Sequence, residues 1–344
     1  MRCPTLSELP APPVGKTGWP WTEESPPLLD TMPDGSPWPR VSIVTPSFNQ
    51  GQFIEETIRS VLLQGYPNLE YTIIDGGSTD GSTDVIRKYE QWLAYWVSEP
   101  DRGQAHAINK GWERAHGEIL AYLNSDDLLA PGALRCVAET CLAQPDAAVV
   151  YGDYDLTDEA SRLIKRLPSR AYHRADLLPA NYIPQSSTFI RRYAVEQVGL
   201  LDESFHMTMD YEYWVRLAMA GFKMTYVPQV LSSARITPVT KTKRLTVTFL
   251  RETLRVLDRV YGQPSVPDDV RRVKRSAYGG VWRLGGIRYF DAGMRGPAIR
   301  AMLTSLCWDP LPGRKPLAVA SAIILQAILG VHWRSAHTLE KTAP

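Results

Sequence analysis

The chain has 344 residues, enough to bury a hydrophobic core and to form one large domain or two unequal ones. Its 38 Lys and Arg residues are balanced by 37 Asp and Glu residues, which argues against a nucleic-acid-binding protein held by bulk positive charge. The four cysteines lack metal-ligand spacing, and the N-terminus lacks the basic-then-apolar order of a signal peptide. We therefore expect a reducing, cytoplasmic location.

The first forty residues are rich in proline. Residues 1–40 contain ten prolines, which remove backbone donors and oppose regular secondary structure. The composition predicts an arm, either extended over the following domain or loose, and the sequence leaves both arrangements open.

From residue 41 onward, short apolar runs alternate with segments of helical spacing. The runs predict strands near residues 41–45, 71–74, 95–97 and 119–123. Helical spacing covers residues 54–62, begins again at about 83, and extends over 105–115. Strands that alternate with helices indicate an α/β fold with a doubly wound, mostly parallel sheet.

Three predicted strand ends carry polar segments: 46–49 (Pro-Ser-Phe-Asn), 75–78 (Asp-Gly-Gly-Ser) and 124–127 (Asn-Ser-Asp-Asp). Ligands gather at the carboxyl ends of parallel strands, so these segments are predicted to form one site. Asp126 and Asp127 repel each other unless a divalent cation shared with a phosphorylated ligand offsets their charge. Oxygen ligands suit Mg²⁺ or Mn²⁺. The alternative is that one of the two aspartates caps the next helix.

Five motifs follow one another in order along this part of the chain. They are the segments 45–49 (Thr-Pro-Ser-Phe-Asn), 74–82 (Ile-Asp-Gly-Gly-Ser-Thr-Asp-Gly-Ser), 101–104 (Asp-Arg-Gly-Gln), 107–111 (Ala-Ile-Asn-Lys-Gly) and 123–127 (Leu-Asn-Ser-Asp-Asp). As an ordered set they resemble the family-2 glycosyltransferases, nucleotide-sugar-dependent enzymes with the GT-A fold, and in particular the polysaccharide and cell-wall biosynthesis branch. The resemblance covers about residues 41–242. Gly76 replaces the second aspartate of the family motif.

The resemblance implies a nucleotide-sugar site at the strand ends. Asp75 would accept a hydrogen bond from a uracil-like base, so a UDP-sugar is favoured, and Pro46 and Phe48 would form the wall against that base. The implied nucleotide-sugar-binding residues are Thr45, Pro46, Phe48, Asp75, Gly103, Gln104, Asn109, Asn124, Ser125 and Asp126. The implied ligands of Mg²⁺ or Mn²⁺ are Asp126 and Asp127. The alternative for residues 75–82 is an ordinary strand-to-helix turn with a capping residue.

Segment 209–216 (Met-Asp-Tyr-Glu-Tyr-Trp-Val-Arg) has helical spacing, with a carboxylate near its N-terminal end. It resembles the family motif in which an aspartate, followed by Trp and Arg, is the catalytic base of an inverting transfer. The resemblance thus implies that Asp210 is the base, with Met209 replacing a common glutamate. The alternative is an aspartate that only caps an amphipathic helix.

A further set of residues is implied on the acceptor or diphosphate side: Gln185, Trp214, Arg216, Arg235 and Lys241. Segment 235–242 resembles the segment that family members close over the diphosphate. Thr237 replaces a common histidine there, which shifts the expected contacts to Arg235 and Lys241. Gln185 capping a buried strand, Trp214 in the core and Arg216 paired with a carboxylate are the alternatives.

The last hundred residues are predicted to form a basic, helical appendage. Residues 235–300 contain fifteen Lys and Arg but five Asp and Glu, which favours contact with phosphates or anionic lipid. The apolar stretch 316–331 is short for a bilayer span, so it is predicted to be a buried or membrane-surface helix.

Three regions are therefore predicted: a Pro-rich arm at 1–40, a GT-A catalytic domain at 41–243 and a helical region at 244–344. The catalytic domain would comprise a nucleotide-sugar half, 41–130, and an acceptor half, 131–243. Peripheral membrane contact is expected through the helical region.

The implied function is metal-dependent, inverting sugar transfer in polysaccharide biosynthesis. The donor would be a nucleotide-diphosphate sugar, and the acceptor would be a hydroxyl of a glycan or lipid-linked glycan. The expected location is the cytoplasm, at the inner face of the cell membrane. No nucleic-acid partner is expected. One alternative is a sugar-nucleotide nucleotidyltransferase, although residues 45–52 lack the basic phosphate loop of that class. The other is a non-catalytic nucleotide-sugar binder, which the changes at Gly76, Met209 and Thr237 keep open.

Overall fold

The computed structural model describes residues 2–237, 246–310 and 314–329. These residues divide into two compact units. The first contains residues 2–171, 183–204 and 216–237, and the second contains 172–182, 205–215, 246–310 and 314–329. The region boundaries expected at residues 40, 130 and 243 stay predictions.

A single mixed sheet organises the first unit, and its strands within the described residues are nine in number. They are β1 Val41–Ser47, β2 Leu69–Asp75, β3 Tyr95–Ser98, β4 Ile119–Tyr122, β5 Leu128–Leu129, β6 Ala147–Thr157, β7 Leu163–Leu167, β8 Thr188–Arg191 and β9 Lys223–Arg235. Their spatial order is β3-β2-β1-β4-β8-β6-β9-β5, with β7 paired to β6. Strands β1 to β4 are parallel, whereas β8 runs antiparallel to β4 and β6. The predicted α/β fold class is confirmed.

The described parts of the chain also contain helices, some in the first unit and some in the second. They are α1 Ile54–Leu62, α2 Ser82–Lys88, α3 Gln104–Arg114, α4 Ala133–Ala143, α5 Arg174–Leu177, α6 Arg192–Val198, α7 Met209–Met219, α8 Thr246–Tyr261, α9 Asp268–Arg272, α10 Lys274–Asp291, α11 Arg295–Trp308 and α12 Arg314–Leu329. Helix α1 shows why the apolar spacing in the sequence predicted a helix. Ile54, Ile58 and Val61 of α1 are spaced along one helical face and are fully buried in the first unit.

The proline-rich arm lies on the first unit. Four of its residues belong to the buried core of that unit: Cys3, Leu9, Met32 and Trp38. Arg59 of α1, itself buried, donates hydrogen bonds to the carbonyl oxygens of Pro10, Pro20 and Trp21. Because proline-rich backbone cannot satisfy its carbonyls in a helix or sheet, a buried guanidinium supplies the donors instead. The structure thus selects the extended arm over the loose tail.

The second unit is helical, which confirms the predicted C-terminal helices. Its core contains Ile287, Phe290, Ala298, Met302, Val319, Ala320, Ile323 and Ala327. Helix α12 buries the four last-named residues, which are spaced along one face, while Leu317 and Leu325 are exposed. Within the described residues, no helix combines the length and the apolar character that a membrane crossing needs.

Candidate functional site

The polar segments that follow the parallel strands lie at one edge of the sheet. Ser47 at the end of β1 is in register with Asp75 at the end of β2, and Asp75 is in register with Ser98 of β3. On the other side, Val44 of β1 pairs with Tyr122 of β4. Because these strands run parallel, segments 46–49, 75–78 and 124–127 leave the sheet at the same edge.

Asp75 is buried and holds the loop that follows β2. Its Oδ2 accepts hydrogen bonds from the backbone N–H groups of Gly77, at 3.1 Å, and Ser78, at 2.8 Å, and from Ser98 Oγ, at 2.7 Å. Its Oδ1 accepts a fourth bond from Ser78 Oγ, at 2.6 Å. The carboxylate therefore fixes the loop conformation, and its contact with a nucleotide base stays a prediction.

Gly76 has a spatial explanation. A Cβ atom at this position would lie 2.7 Å from Asp101 Oδ2, closer than real Cβ contacts allow, and 3.3 Å from Phe48 Cδ2, which is a tight contact. The Asp101 carboxylate thus occupies the space that an aspartate at 76 would need, and Gly103 N–H fixes it by donating to Asp101 Oδ1 at 2.7 Å. Asp101 belongs to segment 101–104, and the only sign of its position in the sequence is the glycine at 76 in place of an aspartate.

Phe48 stands beside Gly76 with 61% of its surface exposed, which is unusual for a phenylalanine. Its ring is available as a flat apolar surface next to the Asp75 loop. Pro46 is buried within β1. The hydroxyl of Thr45 is also buried, and it is hydrogen-bonded to Tyr71 Oη at 3.0 Å, beneath the site.

A hydrogen-bonded network brings four of the predicted site residues together. Gln104 Nε2 donates to Asn124 Oδ1 at 2.6 Å. Asn124 Nδ2 donates to Asp127 Oδ2 at 3.0 Å and to Gln185 Oε1 at 3.1 Å. Gln185 Nε2 in turn donates to the carbonyl oxygen of Tyr122 at 2.7 Å, at the end of β4. Residues far apart in sequence thus fix the amide of Asn124 against the Asp127 carboxylate.

Asp127 is buried, and its side chain is held on both oxygens. The pairing of β5 with β9 brings Arg235 to it, and the backbone N–H of Arg235 donates to Asp127 Oδ1 at 3.0 Å. Burial, and after it the charge of Asp126, raise the pKa of Asp127 well above that of an ordinary carboxyl. Helix α4 is preceded by Gly132 rather than by an aspartate, so neither acid caps it.

Arg235 is buried beneath the paired acids. Its guanidinium donates to Glu56 Oε2 at 3.0 Å, to Ser161 Oγ at 2.8 Å and to the carbonyl oxygen of Glu159 at 3.0 Å. Its Nε donates to the carbonyl oxygen of Asp126 at 3.0 Å. The side chain therefore supports the Asp126–Asp127 backbone from inside the protein. Lys241, the other predicted cation, lies outside the described residues.

Two more predicted residues make backbone contacts in the first unit. The Asn109 side chain donates to the carbonyl oxygen of Leu201 and accepts from its N–H, each at 3.0 Å. Ser125 is buried, and its carbonyl oxygen accepts a hydrogen bond from Thr57 Oγ1 at 3.0 Å. These hydrogen bonds of Asn109 and Ser125 position the loops around the site.

The donor chemistry of the paired acids fits a hard divalent cation. Among the described residues, no group of three or more His, Cys, Asp or Glu side chains could hold a metal. A cation at Asp126 and Asp127 would therefore take its remaining ligands from water and a diphosphate, as Mg²⁺ and Mn²⁺ commonly do. The all-oxygen donor set fits these ions.

Asp210 lies in the second unit as the second residue of α7, and it is half-buried. Its Oδ2 lies 3.4 Å from the Asn181 side-chain nitrogen, which donates to it. Burial raises the pKa of Asp210, opposed by hydrogen bonds and by the positive charge of Arg288. Met209 is buried, so this position is apolar here where the family commonly has glutamate.

Glu252 of α8 fixes the backbone just before Asp210. Its carboxylate accepts hydrogen bonds from the N–H groups of His206, at 3.0 Å, Met207, at 2.8 Å, and Thr208, at 3.1 Å. These three N–H groups belong to the turn that leads into α7, which begins at Met209. Glu252 was not among the predicted site residues, because a lone glutamate in a helical pattern gives no signal of such a contact.

The remaining predicted residues of α7 are placed inside the protein. Trp214 is 1% exposed and packs edge-on against Tyr213. Arg216 Nη1 donates to the carbonyl oxygens of Val198, at 2.9 Å, and Leu200, at 2.8 Å. These contacts stabilise the helix and the end of α6, and a sugar contact of either residue stays a prediction.

Asp210 also lines a cavity of about 410 Å³ within the second unit. Asn181, Thr208 and the arginines Arg283 and Arg288 contribute polar groups to its walls. This size is in the range of small-molecule sites.

Comparison with known proteins agrees with this arrangement. Residues 42–199 match the model of the family described as glycosyl transferase family 2. The putative teichuronic acid biosynthesis glycosyltransferase TuaG of Bacillus subtilis (strain 168) is 44% identical over 202 residues, which are 58% of this chain and 79% of that protein.

Solved structures share the fold at low sequence identity. The mannosyltransferase PcManGT from Pyrobaculum calidifontis, in complex with GDP-Man and Mn²⁺, aligns with a TM-score of 0.58 at 19% identity, over 95% of this chain and 87% of that one. S. aureus TarS 1-349 in complex with UDP-GlcNAc aligns with a TM-score of 0.59 at 13% identity, over 86% and 93% of the two chains. They confirm the predicted GT-A fold. On the extent and identity of the TuaG match, together with the family model, the chain belongs to glycosyltransferase family 2.

Proposed function

We propose that the protein transfers a sugar, with inversion, from a nucleotide-diphosphate donor to a hydroxyl of a glycan or lipid-linked glycan in polysaccharide biosynthesis. The observation that carries this proposal is the pair Asp126 and Asp127 at the carboxyl edge of the sheet, held by Asn124 and Arg235. Family membership and the similarity to a protein named for teichuronic acid biosynthesis support the polysaccharide product. The nucleotide-sugar complexes of two proteins with this fold support the donor class.

The residues around the paired acids would hold the donor. Asn124 and the backbone of Arg235 fix the Asp127 carboxylate, so little reorganisation is needed on binding. A divalent cation bound there supplies positive charge to the departing diphosphate. Phe48 would stack on the base and Asp75 would bind its ring N–H, which favours uridine diphosphate.

Asp210 would act as the general base. Its carboxylate would take the proton of the acceptor hydroxyl as that oxygen attacks the anomeric carbon from the face opposite the diphosphate, which inverts the configuration. Glu252 holds the backbone before Asp210, and Asn181 binds its side chain, so the base is fixed in one orientation. The expected acceptor therefore binds beside Asp210.

Uridine diphosphate and Mn²⁺ together are expected to stabilise the protein more than either one alone. At a concentration about 100 times Kd, one-site binding contributes about 2.7 kcal/mol, which corresponds to a rise in Tm of roughly 5 °C. The measurement is a thermal-shift panel of uridine, guanosine and thymidine diphosphates with and without Mn²⁺. The panel also tests which base is preferred.

Variants in the first unit make this test specific. Asp126→Asn should abolish the additional stabilisation by Mn²⁺, because it removes a charged ligand. Asp84→Asn is the matched control, since Asp84 is an exposed acid that pairs with Arg87. Equal stabilisation with and without Mn²⁺ in the unmodified protein would contradict a metal-dependent donor site.

The pH dependence of transfer should report the environment of Asp210. A general base works only when it is deprotonated, so kcat/KM should fall as the pH decreases through the pKa of Asp210. Because burial raises that pKa, the fall should occur at a higher pH than for an ordinary aspartate, whose pKa is ~3.9. The positive charge of Arg288 lowers that pKa, and Arg288→Gln should therefore move the acidic limb to higher pH. Arg275→Gln, an exposed arginine of the same helix that binds the Trp308 carbonyl oxygen, should leave the limb in place. If the acidic limb moves to lower pH in Arg288→Gln, the charge of Arg288 does not lower the pKa of Asp210.

The cytoplasmic location and the peripheral membrane contact stay predictions. On α12, the exposed side chains Leu317 and Leu325 would be the apolar groups available for contact with a bilayer surface.

A further inference from the structure

The carboxylate of Asp75 is already occupied by donors of the protein itself. Asp75 is 0% exposed and accepts four hydrogen bonds, two from backbone N–H groups of the following loop and two from the hydroxyls of Ser78 and Ser98. A carboxylate has about four lone-pair sites, so a nucleotide base could bind Asp75 only by displacing one of these donors. Such a displacement would release the loop that Asp75 holds.

Asp101 is a neighbouring carboxylate that can accept a further hydrogen bond. It is half-buried, and its Oδ1 accepts the Gly103 N–H at 2.7 Å. Among the residues that the structure describes, no group donates a hydrogen bond to Asp101 Oδ2. The adjacent arginine pairs elsewhere, with Arg102 Nη2 lying 2.8 Å from Glu203 Oε2. The carboxylate is thus oriented through one oxygen and available on the other.

The bare backbone of Gly76 brings this available oxygen close to an exposed aromatic ring. Asp101 Oδ2 and Phe48 Cδ2 lie 2.7 Å and 3.3 Å from the same point, the position that a Cβ atom at Gly76 would take. The Phe48 ring is 61% exposed, and an exposed aromatic ring is a surface on which a nucleotide base can stack. A base on this ring would therefore lie near a carboxylate oxygen that has no donor from the described residues.

We propose that Asp101, and not Asp75, accepts a hydrogen bond from a ring N–H of the donor's base and thereby selects uracil over cytosine. The inference rests on the proposed function, in which the donor is a nucleotide-diphosphate sugar whose base stacks on Phe48. An ionised carboxylate can only accept hydrogen bonds. Uracil carries a hydrogen on its ring nitrogen N3, whereas cytosine has a lone pair there, which a carboxylate oxygen would repel. Asp101 Oδ2 therefore matches uracil and opposes cytosine.

The test compares three nucleotides: UDP, CDP and 2′-deoxy-UDP. UDP and CDP share the ribose and the diphosphate and differ in the base, whereas 2′-deoxy-UDP keeps the base and lacks one ribose hydroxyl. Binding to the full chain with Mn²⁺ is measured by isothermal titration calorimetry. UDP should bind about tenfold or more tightly than CDP, because a hydrogen bond to a charged group is worth at least one such step in affinity. Equal affinities for UDP and CDP overturn the inference.

Asp101→Asn assigns the preference to this side chain. The amide has one oxygen, which accepts the Gly103 N–H, so its N–H groups would face the base and could no longer accept from uracil. The preference for UDP over CDP should fall to about threefold or less. Asp84→Asn, the matched control, changes an exposed acid of the same unit that pairs with Arg87 and should keep the full preference.

Three results with Asp101→Asn would overturn the inference. A preference for UDP over CDP that survives the change returns the contact to Asp75. An equal loss of affinity for all three nucleotides shows that Asp101 only supports its loop. Removal of a preference for UDP over 2′-deoxy-UDP, with the preference over CDP intact, shows that the carboxylate binds the ribose.

Gly76→Ala tests the same oxygen without changing Asp101. The added methyl group would lie 2.7 Å from Asp101 Oδ2 and must displace it, so the preference for UDP over CDP should fall here as well. Gly76 is not one of the glycines with a positive φ angle, and its backbone is therefore compatible with alanine. Melting temperatures show which variants fold. If Asp101→Asn does not fold, an unchanged preference in folded Gly76→Ala overturns the inference.

A second measurement separates this inference from the proposed function. Hydrolysis of a UDP-sugar with Mn²⁺ is measured in the same samples without any acceptor. Donor hydrolysis without a preference for UDP over CDP overturns the base contact of Asp101 but leaves the transferase. A preference that depends on Asp101, without sugar transfer or donor hydrolysis, supports the base contact and contradicts the transferase.

Discussion

Asp210→Asn is expected to lower the rate of sugar transfer by about 10²- to 10⁴-fold, the contribution typical of a general base. The amide keeps the size of the side chain and can still contact Asn181, but it cannot accept the acceptor proton. Because burial disfavours the charged carboxylate, the neutral amide should not destabilise the second unit. The measurement is steady-state transfer from a UDP-sugar, with Tm as the folding control.

Two comparisons make the Asp210 result interpretable. Nucleotide and Mn²⁺ binding should stay within about twofold of the unmodified protein, since the loss belongs to the transition state and not to donor binding. Asp268→Asn, an exposed acid in the same unit, should transfer at the normal rate. If Asp210→Asn keeps most of its activity, the base is another residue. If the unmodified protein binds the donor but never transfers sugar, the non-catalytic alternative is favoured.

Arg235→Met is expected to lower the free energy of unfolding by about 3–5 kcal/mol, because it leaves the buried carboxylate of Glu56 without its cation. The same change removes the donors to the carbonyl oxygens of Asp126 and Glu159. Donor binding that depends on Mn²⁺ should therefore weaken as well. Urea denaturation followed by circular dichroism gives the stability, and the thermal-shift panel gives the binding.

An exposed ion pair of the same chemistry is the control. Arg166 pairs with Asp155 at 2.9 Å, and its side chain is 63% exposed, so Arg166→Met should cost about 1 kcal/mol or less. Adding Glu56→Gln to Arg235→Met should recover part of the lost stability, because it removes the unpaired charge. Similar losses for Arg166→Met and Arg235→Met would show that burial does not distinguish the two pairs.

The pattern of apolar and polar residues in the first 130 residues predicted much of the fold. The strands at β1 to β4 are short apolar runs with polar ends, and parallel pairing puts those ends at one edge. Helix α1 was predicted from its apolar spacing, since Ile54, Ile58 and Val61 repeat at helical intervals. The proline-rich arm could not be placed, because its position depends on long-range contacts that local patterns do not reveal, namely its residues in the core and the hydrogen bonds from Arg59.

The sequence predicted only part of the candidate site. The family resemblance implied Asn124, Asp127 and Gln185 as site residues, and the structure joins them in one hydrogen-bonded network. Asp101 and Glu252 were missed because each acts across a long sequence separation, on Gly76 and on residues 206–208. Arg235 was expected at the diphosphate, whereas its guanidinium binds protein groups within the first unit.

The sequence by itself determined the α/β alternation, the family and the residue types at the strand ends, because all of these are local or ordered along the chain. Only the tertiary structure decided which polar groups meet. The Asp126–Asp127 backbone is supported by Arg235, which lies more than a hundred residues away, and the arginines beside Asp210 come from a helix of the basic C-terminal region. Burial and hydrogen-bond satisfaction are properties of the folded surroundings, so they have no signature in a stretch of sequence.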